Sequence, residues 1–90
     1  MTDNYEIHIT VHASDLHKLK TLANVENWTT SCIDGDDALP HDTYGYLTTH
    51  RTNLQLAILD MQKMAGMVRG MDIKVLREKI EHVIFDRRES

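Results

Sequence analysis

Ninety residues, 41% of them hydrophobic and 27% charged, suit one small domain with a single core rather than a disordered chain. The net charge of -4 and the thin spread of basic residues before the tail exclude the clustered positive footprint of a double-stranded nucleic-acid binder. No apolar run approaches the ~20 residues that span a bilayer, and one cysteine, Cys32, rules out a disulfide framework within the chain.

The first element is "YEIHITVHAS", residues 5 to 14. Tyr5, Ile7, Ile9 and Val11 alternate with Glu6, His8, Thr10 and His12, so one face of a strand is aliphatic and the other polar. "ASDLHKLKTLANVEN" then offers Ser14 and Asp15 as helix starters, followed by Leu16, Leu19, Leu22 and Ala23 at helical spacing. "WTTSCI", residues 28 to 33, is β-branched and aromatic and reads as a second strand. The nine residues of "DGDDALPHD", 34 to 42, are loop chemistry, and "TYGYLTTH", 43 to 50, is the third strand of a long hairpin.

A second helix follows with the clearest signal in the chain. Thr52 and Gln55 have capping-box spacing, and Gly70 is placed to end the element. Leu54, Ala57, Ile58, Met61, Met64, Ala65 and Val68 mark one face, while Leu56 and Leu59 fall off it. The last segment, residues 73 to 85, fits either a helix or a strand. Topology favours the strand, because it completes a β-α-β-β-α-β unit, the ferredoxin-like α+β arrangement of two helices on one face of a four-stranded antiparallel sheet. Without it the aliphatic first strand would be an exposed edge.

In that arrangement the aliphatic parity of the first strand faces the helices, and His8, Thr10 and His12 face outward. The same bookkeeping puts Tyr46, Thr48 and His50 outward if Leu47 points inward. It also puts Arg77, Lys79 and Glu81 outward if Leu76, Ile80 and Ile84 point inward. These side chains combine groups that titrate near neutrality with cationic donors for a phosphate or carboxylate. A solvated sheet face has a similar composition, and only the two histidines on one strand go beyond it.

Metal chemistry is tested by geometry. On a strand His8 and His12 stand about 13 Å apart, too far for one ion, and no third ligand accompanies a His8–His50 pair, so no metal and no cofactor are assigned. Setting Asp34 as the first position of a calcium loop puts Ala38 at the fifth, Leu39 where glycine is needed and Gly45 where the bidentate glutamate belongs. The calcium reading fails.

His-x-Thr occurs at 8 to 10 and at 50 to 52, and the pair resembles the motifs of the two-histidine phosphoesterases, in which two histidines act as acid and base on a cyclic phosphate. That family carries both motifs inside strands of a longer, two-lobed domain, whereas Thr52 here reads as the cap of the long helix, so the chain is not assigned to it. Cys32 reads as a buried structural cysteine and the methionines at 61, 64, 67 and 71 as core filling or a plastic association surface. Tyr44 and Tyr46, a lone aromatic pair in an acidic chain, are a poor platform for RNA.

The leading expectation is therefore a small cytoplasmic binding or assembly module. It is expected to self-associate as a homodimer through Trp28, Leu56, Leu59 and Met67 as exposed apolar surface. "MTDNYEIH" has neither the basic nor the apolar region of a signal peptide. The alternative is an enzyme or sensor that binds a small anion on the open face. His8 and His50 are then its acid-base candidates, with Arg77 and Lys79 holding the anion.

Overall fold

A computed structural model describes residues 3–34 and 43–83. The acidic loop after position 34, Ile84 and the basic tail lie outside the described residues.

The elements run β1 (Asn4–His12), α1 (Ala13–Val25), β2 (Thr29–Asp34), β3 (Thr43–Arg51), α2 (Leu54–Gly70) and β4 (Arg77–Val83). The sheet order is β2-β3-β1-β4 with every pairing antiparallel, and both helices cover one face: a ferredoxin-like α+β fold. Residues 77 to 83 are strand, so the helical alternative for the last segment is excluded.

The aliphatic parity of β1 sets the core. Ile7, Ile9 and Val11 are 0% exposed, as are Leu47 of β3 and Leu19 of α1. Met64, Ala65 and Val68 of α2 close the layer. Burying a side chain of this size contributes roughly 1.5–3 kcal/mol, so the central strand carries a large share of the stability. Gly45 permits the close seating of α1, since a Cβ there would lie 3.0 Å from Cδ1 and 3.2 Å from Cβ of Leu16.

Both helices end in the same device. Asn27 and Asp72 take left-handed φ values of 62° and 63°. Asn27 N–H donates to the Asn24 carbonyl and Trp28 N–H to that of Ala23, while Asp72 and Ile73 repeat the pattern onto Arg69 and Val68. These are Schellman motifs, in which the residue after the left-handed one folds back against the helix. Trp28 and Ile73 occupy that position and are only 6% and 4% exposed. The expectation of an exposed Trp28 is thereby corrected: the helix end draws it into the core.

Other expectations shift for local reasons. The strand runs straight into α1, so the helix begins at Ala13 with His12 as its cap residue, and Asp15 lies in the first turn instead of starting the helix. There its carboxylate favourably meets the helix dipole. For α2 the cap is Asn53, whose side chain accepts from Leu56 N–H at 3.1 Å, and Thr52 is displaced from the role. On the α2 stripe Met61 is half-buried, but Leu54 and Ile58 are exposed, because only Ala57 of the first turns meets the sheet. Met67 is half-buried against the core, and Cys32 is exposed on the edge strand β2. Leu56 and Leu59 are exposed as expected.

Candidate functional site: the open face of the sheet

The register of β1 arranges the open face in rows across the sheet. His8 stands between Thr48 and Lys79, with Thr29 beyond Thr48. Thr10 stands between Tyr46 and Arg77, with Ser31 beyond Tyr46. Glu6 stands between His50 and Glu81. Because facing side chains on adjacent strands lie about 5 Å apart at Cβ, each row brings its polar groups within reach of one another.

The sheet is hollowed over the first two rows, forming an open concavity of about 280 Å³. His8, Thr10, Tyr46, Thr48, Arg77, Lys79 and Glu81 all line it, and Ser31 joins them. Thr10, 8% exposed, is the most buried of these residues and lies at its base. His50 does not line the cavity. It is joined to His8 through Glu6, which contacts His50 Nε2 at 3.2 Å and His8 Nε2 at 2.6 Å. His12 is exposed and stands at the N-cap position of α1, where its side chain makes no capping hydrogen bond.

His8 has carboxylates on one side of its ring and a hydroxyl on the other. Its Nε2 faces Glu6 at 2.6 Å and Glu81 at 3.4 Å. Its Nδ1 lies 3.1 Å from Thr48 Oγ1, a hydroxyl that both donates and accepts. An Nδ1 without a hydrogen accepts there from Thr48, and one that carries a hydrogen donates.

The cationic side of the cavity comes from β4. Lys79 Nζ contacts Glu81 at 3.0 Å, and this contact, helped by His8 and Arg77, holds the Glu81 carboxyl below its ordinary value of 4.5. Arg77 makes no ion pair among the described residues. Its forked donors are free to engage a planar or tetrahedral anion. Two cations against one carboxylate leave the lining positive, in a chain whose net charge is -4. No group of three His, Cys, Asp or Glu side chains is placed to hold a metal among the described residues.

Glu6 and Ser31 join the site only in the folded chain. Glu6 belongs to the outward parity of β1, and the alternation carries that signal. Its role as a bridge between two histidines follows only from the β1–β3 register. Ser31 is placed by the β2–β3 register, which the sequence of a β-branched strand leaves open.

The fold and the site define a small ferredoxin-like domain with a polar, cation-bearing concavity on its uncovered face. Comparison with family models, curated proteins and solved structures gave no match.

Proposed function

We propose that this domain binds a small anionic ligand, a phosphate or carboxylate, in the concavity of its open sheet face. The observation that carries this reading is the convergence of His8, Arg77 and Lys79, from two adjacent strands, on one hollow. Arg77 supplies a fork of donors, and Lys79 supplies a point charge that exchanges part of its contact with Glu81 for the ligand. Thr48 supplies a hydroxyl whose partner, His8 Nδ1, takes or gives a proton as the ligand requires. Glu6 holds the ring in place from its other nitrogen. A sensor needs only the binding; an enzyme would use the Thr48–His8 pair as its acid-base element. NMR titration with inorganic phosphate and with small carboxylates should shift the resonances of His8, Thr48, Arg77 and Lys79 together and saturably. Absence of any shift across both series would refute the proposal.

A second reading, self-association, rests on a different observation. Leu54, Leu56, Ile58 and Leu59 are all exposed on the first turns of α2, and no charged residue occurs between positions 52 and 59. Exposed apolar patches of this kind mark interaction surfaces. Sedimentation equilibrium should show a dimer that Leu56→Gln with Leu59→Gln dissociates, whereas a monomer at high micromolar concentration would remove this reading.

A further inference from the structure

A second depression of about 290 Å³ adjoins the first and shares Thr10, Tyr46 and Arg77 with it. Its remaining walls are Tyr44 and Leu76. Leu76, expected to point inward, precedes β4 and lines the open face instead, while Val75 and Ile80 pack on the core. The two halves differ in chemistry. The first carries His8, Thr48, Lys79 and Glu81; the second adds an aromatic ring and an aliphatic side chain and no further charge.

The placement follows from the sheet. Tyr44 and Tyr46 share the outward parity of β3, opposite His12 and Thr10. Leu76 is held at the near end of β4 by its N–H, which donates to the Thr10 carbonyl at 2.8 Å. Arg77 stands on the wall between the halves. A guanidinium is suited to such a boundary, since its edge forks onto anionic oxygens while its plane stacks on an aromatic ring.

Resting on the anion-binding reading above, we infer that the ligand is bipartite: an aromatic phosphate monoester, its phosphate in the charged half and its ring against Tyr44 and Tyr46. A phosphate matches the charged half because its three terminal oxygens accept from Arg77, Lys79 and the Thr48 hydroxyl at once, which two carboxylate oxygens do less completely. An aromatic ring matches the other half because two tyrosine rings and a guanidinium plane offer stacking surface.

Calorimetric titration with methyl phosphate and phenyl phosphate isolates the ring from the charge. Aromatic stacking of this kind makes phenyl phosphate bind at least about five-fold more tightly. Tyr44→Leu should reduce that preference and leave methyl phosphate binding unchanged, while Tyr44→Phe should retain it. Equal affinity for the two esters within about two-fold, or a preference undiminished by Tyr44→Leu, overturns the bipartite ligand and leaves the anion site standing. If neither ester binds, both readings fall together. Circular dichroism of the Tyr44→Leu protein checks that it is folded, and the Tyr44→Phe result decides the matter if it is not.

Discussion

The two faces of β1 are built by different rules. On the inner face Ile7, Ile9 and Val11 are completely buried, and what matters is volume and apolar area. On the outer face Glu6, His8 and Thr10 sit one residue out of phase with them. There the cross-strand partner of each side chain decides what it does: Glu6 bridges two histidines, and His8 contacts Thr48, Glu6 and Glu81. The inner face is legible without the register, since alternation alone reports which residues are buried. The outer face does not, because a slip of one residue would separate His8 from Thr48 and Lys79. Stability is thus concentrated on one side of the sheet, and the proposed recognition on the other.

That division can be broken or sharpened by substitution. Ile9→Ala removes a fully buried side chain from the central strand and should cost about 2–5 kcal/mol in denaturant unfolding. A loss comparable to that of an exposed site would show that the inner face is not the structural one. Gly45→Ala presses a methyl group against Leu16 under the first turn of α1 and should cost about 1–3 kcal/mol. Asp72→Gly relieves the left-handed conformation at the end of α2 and should raise the unfolding free energy by up to about 1 kcal/mol. A destabilised Asp72→Gly protein would contradict the role given to that motif.

The smallest effect belongs to the outer face. Because Lys79 depresses the Glu81 carboxyl below 4.5, the contact stabilises the fold fully above that pH. The contribution disappears as acid takes the carboxyl through its lowered value. Carbon-detected NMR titration should place the Glu81 midpoint below 4.5, and Lys79→Met should return it toward that value. A midpoint indifferent to Lys79 would mean that the two groups do not form the pair seen beside His8.

Much of this architecture is legible in the sequence, for reasons that differ by element. The alternation of β1 and the helical stripe of α2 report burial directly, so the core and the outward set could be read from period alone. The ambiguous last segment was resolved by topology, since β1 needs a partner on each side. Seven of the nine outward residues line the concavity. His50 misses it because β1 pairs it with Glu6, one row away, and His12 because it ends the strand where α1 begins. Trp28 escapes a periodic reading because its burial comes from the turn after α1, where no periodic signal exists. Thr52 and Asn53 are both good caps, and side-chain type alone does not choose between them, so the start of α2 shifts by one residue. Residue type puts Cys32 in the core, but it lies on an edge strand, where the sheet gives it cover on one side only.

Phosphate-dependent thermal stability tests the separation of the two faces most directly. A ligand that binds only the folded chain raises its melting temperature. Sodium phosphate should therefore stabilise the wild-type domain more than sodium chloride of equal ionic strength. The Arg77→Ala, Lys79→Ala double variant should keep its melting temperature in chloride within about 4 °C of wild type, in line with the small cost of substitutions at exposed and half-buried surface sites, and should lose the phosphate increment. An equal phosphate increment in the two proteins would contradict the assignment of the open face as an anion site.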